Sequence, residues 1–202
     1  MNKVGRIQKV IVLSGMVMVG VVASVFGQTE DSLANRLPRR FVHGLGVEAR
    51  PEYVFPTHPF LERKLIRGAF STHFKYALHY QPGSIYDRIY GNVYQGIGLG
   101  CYSFGESRQI GNPVAFYLFQ GARIARICPW LSFNYEWNFG LSGGWKPYDE
   151  QYNSYNKMVG SKINAYLNVN FYLRWALSPR LSLTSGVTLT HFSNGNTNFP
   201  NA

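Results

Sequence analysis

Residues 131–143 read Leu-Ser-Phe-Asn-Tyr-Glu-Trp-Asn-Phe-Gly-Leu-Ser-Gly, with a large apolar side chain at every second position up to Leu141. Ser, Asn, Glu and Gly fill the positions between them. Because successive side chains of a β-strand point to opposite faces, this alternation predicts a strand with one apolar face and one polar face. The segment is longer than the ~5–6 residues typical of soluble strands, and it suits a tilted membrane crossing of ~9–11 residues.

The same alternation recurs on both sides of this segment. Residues 69–80 and 163–175 each place aromatic and aliphatic side chains on one face and polar side chains on the other. The sequence predicts seven strands, at about 43–54, 67–80, 93–104, 114–124, 131–143, 162–175 and 181–193. Their polar faces are rich in Asn, Ser and charged residues, so an apolar outer wall around a polar interior is indicated, as in membrane β-barrels.

The predicted fold is therefore all-β, an antiparallel transmembrane β-barrel. A bilayer requires closure, because an open edge leaves unpaired backbone groups in hydrocarbon. Single-chain bacterial barrels have an even number of strands, so we expect eight, with the eighth missing from this C-terminally truncated chain, which ends at Ala202. The alternative is that the first or the fourth predicted strand is misassigned.

The N-terminus resembles a secretory signal peptide. Its basic residues are Lys3, Arg6 and Lys9. An uncharged run follows over residues 10–26, and no charge cluster follows that run, which favours cleavage before Gln28 over an uncleaved anchor. The chain is thus predicted to comprise a signal peptide at 1–27, a periplasmic N-terminal lead at 28–42 and an incomplete outer-membrane β-barrel at 43–202.

The chain is basic, with a formal net charge of +10. Export argues against nucleic acid as the partner, and the phosphates of lipopolysaccharide are a more accessible anionic target. Charges scattered over loops without a common target are an equally good interpretation. The sequence also leaves monomer and homodimer as open alternatives.

The predicted strands also set expectations for the cysteines and tryptophans. Cys101 and Cys128 fall toward opposite ends of the barrel, too far apart for a disulfide. If the N-terminus stays in the periplasm, residues 144–161 form an extracellular loop and the turn at 178–180 is periplasmic. Trp145 is then expected in the aromatic girdle at the outer interface.

The last predicted strand carries a candidate nucleophile and base. One face of this strand carries four apolar residues, and it is predicted to face lipid. They are Leu181, Leu183, Val187 and Leu189, and His191 and Ser193 continue the same face. Two residues along a strand separate Cα atoms by about 6.6 Å, so an imidazole can reach a hydroxyl. A polar pair on the lipid side is costly and calls for a functional explanation, although the exit of the strand into a polar loop is the simpler alternative.

The segment from His191 to Asn201, read with Thr72-His73-Phe74-Lys75-Tyr76, resembles the PagL-type lipid A deacylases, also called acyloxyacyl hydrolases. The resemblance implies an eight-stranded outer-membrane barrel that hydrolyses the ester-linked acyl chain at the 3-position of lipid A, without a metal or cofactor. It implies a Ser-His-Glu triad in which Ser193 is the nucleophile and His191 the base. Asn194 and Asn201 become oxyanion-hole candidates.

The chain departs from the family in one respect. The glutamate of the triad would fall a few residues beyond Ala202, and Glu136 cannot replace it because it is predicted to point into the barrel. The leading hypothesis is an outer-membrane serine esterase that deacylates lipopolysaccharide. The alternatives are a non-catalytic small barrel with a structural or adhesive role, and an acyl transferase.

Overall fold

Eight antiparallel strands form a closed barrel in the computed structural model, which describes residues 16–29, 41–55 and 68–198. Each strand pairs with its neighbours in sequence, and the first pairs with the last. The strands are β1 (Met16–Thr29), β2 (Phe41–Val54), β3 (Gly68–Tyr80), β4 (Tyr94–Ser103), β5 (Gly111–Cys128), β6 (Leu131–Trp145), β7 (Ile163–Ala176) and β8 (Leu181–Ser193). A short helix, α1 (Ile85–Tyr90), connects β3 to β4. Within the described ranges, no helix has the length and apolar character needed to cross a membrane.

The all-β antiparallel barrel with eight strands is confirmed. The seven strands predicted from the sequence are β2 to β8, and they differ from the prediction mainly at their ends. The structure differs from the expectation that the eighth strand is missing, because β1 holds that position. Since β1 lies in the segment assigned to the signal peptide, that assignment stays a prediction.

The position of β1 follows from the edges that it covers. Val25 lies opposite Val47 of β2 on one side and Leu183 of β8 on the other. Without this strand, β2 and β8 would each present a row of unpaired N–H and C=O groups. Met16–Thr29 has the apolar and small residues that pair readily on such edges, so the barrel closes through it.

The two ends of the barrel differ in their connections. We call the end that carries residues 104–110, 146–162 and 194–198 the loop end, and the end that carries the turns at 129–130 and 177–180 the turn end. Cys101 of β4 lies opposite Val114 near the loop end, whereas Cys128 ends β5 at the turn end. Both cysteines are free, as predicted.

The wall alternates between an exposed apolar face and a buried face. On β5, Phe116 and Leu118 are 57% and 58% exposed, whereas Tyr117 and Phe119 are 1% and 2% exposed. A strand has a side-chain period of two, and the other strands from β2 to β8 show the same division along most of their length. The predicted apolar outside is therefore confirmed, and aromatic rings share the interior with polar groups.

A chain of charges fills the middle of the interior. Glu48 forms ion pairs with Arg50 and Lys75, and Lys75 also pairs with Glu136. The Tyr94 hydroxyl donates to Glu136 over 2.9 Å. All five residues are buried, so each charge depends on its neighbours for the hydrogen bonds that water would otherwise supply.

Trp145 lies in the interior, so its predicted place in an outer aromatic girdle is wrong. It is 4% exposed, and the centroid of its ring lies 4.9 Å from the centroid of the Phe192 ring. The cause is a β-bulge, because the register of β5 and β6 shifts between Gly111 and Val114. Gly144 has a φ of 90°, which favours glycine, and this irregularity turns the next side chain inward.

The glycines of β4 make room for rings of neighbouring strands. A Cβ at Gly98 would overlap the ring of Tyr117, and a Cβ at Gly100 would come within 2.7 Å of His73. Small residues on one face of this strand therefore let the narrow interior pack tightly.

We expect Gly98→Ala to lower the free energy of unfolding by about 1–3 kcal/mol, because the new methyl group must displace Tyr117. Equilibrium unfolding in detergent micelles measures the change. Gly143→Ala is the matched control, since nothing lies within 4 Å of a Cβ there. Equal stabilities of the two variants would contradict this account of interior packing.

We expect Lys75→Met to cost about 3–5 kcal/mol, because it leaves Glu48 and Glu136 without their shared cation. The same unfolding measurement applies. Lys157→Met, in an exposed loop, is the control and is expected to change little. A second substitution, Glu136→Gln, is expected to recover part of the loss in the Lys75→Met background, and no recovery would argue against the charge network.

Candidate active site

β8 carries His191 and Ser193 on the outer wall of the barrel. Leu183 and Leu189 on the same parity are exposed, whereas Thr188, Thr190 and Phe192 on the other parity are buried. His191 and Ser193 are both partly exposed. The alternation predicted for this strand is therefore confirmed, and the outer-wall pair, as we call His191 and Ser193, lies beyond the leucines near the loop end.

Residues on the inner face of β8 hold the backbone of the pair in place. The side-chain amide of Asn168, on β7, donates hydrogen bonds to the hydroxyls of Thr188 and Thr190 over 2.6 and 2.8 Å. Phe192, which lies between the two candidate residues in sequence, packs against Trp145 and Tyr102. A strand fixed from within presents its outward side chains on a rigid scaffold, as a catalytic site requires.

His191 lies opposite Leu167 of β7, so an apolar neighbour flanks the imidazole. Its Nδ1 is buried and has no hydrogen-bond partner among the described residues. No hydrogen bond between His191 and Ser193 is formed among the described residues either. In a serine, histidine and acid triad, Nδ1 is the atom through which the carboxylate orients the histidine.

The Ser193 hydroxyl lies where β8 turns into a loop. Its Oγ accepts a hydrogen bond from the backbone N–H of Gly195 over 3.1 Å. Gly195 and Asn196 both have positive φ values, which produces a tight turn directly after the strand. Ser193 is opposite Ala165 of β7, a small side chain that leaves the hydroxyl open to the outside.

The structure describes one of the two oxyanion-hole candidates, Asn194, and does not describe the other. The side-chain amide of Asn194 donates to the carbonyl of Asn198 over 2.8 Å and accepts from the N–H of Asn196 over 2.9 Å. In this conformation the amide stabilises the turn. Asn201 lies outside the described residues.

Glu136 lies in the interior, as predicted. It is 2% exposed and binds Lys75, Tyr94 and Asn170. It cannot reach a histidine on the outer wall, because the wall itself separates the two side chains. It is therefore not the acid of a triad with His191.

The interior contains a second serine and histidine pair that sequence reasoning missed. Ser71 Oγ lies 3.0 Å from His73 Nε2, and His73 Nδ1 lies 2.8 Å from the Tyr117 hydroxyl. The signal was the same two-residue spacing on a strand. Both residues have 0% exposure, so no substrate reaches this pair and its role is structural.

No group of three His, Cys, Asp or Glu side chains in the described part of the chain is arranged to hold a metal ion. The outer-wall pair places a histidine and a serine two residues apart on one outward face of β8. Together, these observations define a small closed β-barrel with buried charges and aromatic rings inside, and with a histidine and a serine on its apolar outer wall.

The family model for lipid A 3-O-deacylases (PagL) matches residues 66–202, which is more than half of the chain. The chain belongs to this family. The match covers β3 to β8 and includes both residues of the outer-wall pair. Comparisons with curated proteins and with solved structures gave no match. Family membership implies a hydrolase whose substrate is lipid A.

Proposed function

We propose that the protein is an outer-membrane serine esterase that removes the 3-O-linked acyl chain of lipid A. Family membership supports the substrate class. The observation that carries the mechanism is the common outward face of His191, Ser193 and the exposed leucines of β8. On that face, a bound acyl chain can lie along the leucines while its ester meets the hydroxyl.

The proposed location rests on the outer wall. Phe139, Leu141 and Ile163 are 54–61% exposed, and similar residues surround the barrel. Monomeric soluble proteins rarely expose apolar surface continuously, whereas a lipid-facing belt requires it. In our proposal the loop end faces the cell exterior, so the outer-wall pair lies at the depth of the ester bonds in the outer leaflet.

The proposed reaction follows from the roles of the two side chains. Ser193 Oγ attacks the ester carbonyl carbon while His191 accepts its proton. Collapse of the tetrahedral intermediate breaks the bond to the sugar oxygen, which takes the proton from His191 and leaves as the 3-hydroxyl. Water then attacks the acyl-serine with His191 as base, and the fatty acid is released.

Two further groups complete the proposed mechanism. The oxyanion needs N–H donors, and we propose the amides of Asn194 and Asn201 after rearrangement of the turn around bound substrate. A triad also needs a carboxylate at Nδ1 of His191, and the family resemblance assigns a glutamate to this role. That glutamate is not among the described residues.

We expect Ser193→Ala to abolish deacylation without lowering stability, because the hydroxyl is on the surface. Ser71→Ala is the matched control, since it removes the serine that contacts His73 inside the barrel, and we expect it to keep the activity. Mass spectrometry of lipid A, from cells that supply an acylated substrate, measures the loss of one acyl chain.

The same measurement separates the competing functions. If lipid A is unchanged in cells that express the unaltered protein, neither enzymatic function holds, and a structural or adhesive barrel is favoured. Transfer of the acyl chain to another lipid, rather than release of the fatty acid, would identify a transferase. Activity retained by Ser193→Ala would overturn the proposed nucleophile.

We also propose that residues 1–27 are a signal peptide. Cleavage after Gly27 would remove most of β1, so the edges of β2 and β8 would then need another strand for closure. N-terminal sequencing of the protein recovered from outer membranes tests this, and we expect Gln28 as the first residue. A mature protein that retains Met16 would contradict cleavage and assign β1 to the working barrel.

A further inference from the structure

A cleft of about 400 Å³ opens at the loop end of the barrel. Residues of the β4–β5 connection, the end of β6 and the β6–β7 loop line it. Its cationic residues are Arg108, Lys146 and Lys162. We call it the basic cleft. The sequence alone separated these three residues by up to 54 positions, and only the fold brings them together.

The charge of the basic cleft is positive overall. Asp149 is the one carboxylate among the described residues that line it. Asp149 Oδ1 already accepts hydrogen bonds from the N–H groups of Gln151 and Tyr152, each over 2.9 Å. Lys146 uses one of its N–H groups on the carbonyl of Arg108 over 3.3 Å. The three cations are exposed, so they retain donors for an anionic ligand.

The loop that forms the cleft is held in a single arrangement by two asparagines. The side-chain amide of Asn156 donates to the carbonyls of Gln109 and Lys146 over 3.0 and 2.7 Å. Asn153 donates to Gln109 as well, over 3.0 Å. Met158 and Val159 are buried beneath the loop. The backbone of the loop that carries Lys146 is therefore held by hydrogen bonds without a ligand, which lowers the entropy cost of ordering that loop on binding.

The basic cleft lies just beyond the outer-wall pair. Ser193 is opposite Ala165, and Lys162 precedes Ala165 by three residues, which is ~10 Å further toward the loop end. Trp145 lines the cleft from the interior side of the wall, where its ring packs against Phe192 of β8. Along the barrel axis the order is exposed leucines, then histidine and serine, then cations.

We propose that the basic cleft binds a phosphate group of the glycolipid substrate and thereby positions the ester carbonyl next to the Ser193 hydroxyl. The order of groups on the barrel matches the order in a phosphorylated acylated sugar: acyl chain, ester, phosphate. Lysine and arginine form charge-assisted hydrogen bonds with phosphate oxygens. This inference rests on the proposed function, since it names the feature by which the same site selects its substrate.

The test compares lipid A carrying its phosphates with the same lipid after enzymatic removal of the phosphates. We expect the double variant Lys146→Ala/Lys162→Ala to raise KM for phosphorylated lipid A by about tenfold or more, with little change in kcat. On the dephosphorylated lipid, we expect the variant and the unaltered protein to be equal. Lys157→Ala, in the same loop but outside the cleft, is the control.

Binding provides a readout that does not depend on turnover. In a Ser193→Ala background, affinity for phosphorylated lipid A in detergent micelles is measured with and without the two lysine substitutions. Loss of affinity confined to the phosphorylated lipid supports the proposal. Equal affinities, or an equal loss for both lipids, overturn it. Specific binding without hydrolysis by the unaltered protein would instead contradict the esterase and leave the phosphate site supported.

Discussion

Closure of the backbone hydrogen-bond ring is the constraint on which this structure depends. Each strand from β1 to β8 pairs on both edges, so no backbone row is left open along the seam between β1 and β8. A closed ring with a side-chain period of two leaves each residue one of two environments. Every later feature, from the buried charges to the outer-wall pair, follows from which environment its residue receives.

The narrow interior gives the two faces of the wall different roles. Because the barrel is narrow, aromatic and charged side chains from different strands contact each other inside it. Lys75 pairs with Glu136, and Tyr117 contacts His73. Such a core excludes a substrate, so the Ser71 and His73 pair serves stability. In the proposed function the reaction takes place on the outer wall, where the histidine and serine of β8 share a face with aliphatic residues.

The proposed site combines a rigid scaffold with neighbours from distant parts of the chain. Asn168 and Phe192 fix the inner face of β8, while the loop asparagines fix the backbone of the loop that carries Lys146. A phosphorylated acylated sugar would then be held at both of its ends, in hydrocarbon and at phosphate. This arrangement gives a physical basis for selecting such a lipid over a simple ester.

The sequence by itself determined the strands β2 to β8 and the outward parity of His191 and Ser193, because alternation is a local property read from neighbouring residues. Tertiary structure decided the rest. The bulge at Gly144 that turns Trp145 inward depends on pairing with β5, and the closing role of β1 depends on two edges far apart in sequence. The interior ion pairs and the basic cleft were also beyond the sequence, since a period of two says which side a residue faces and not which distant residue it meets.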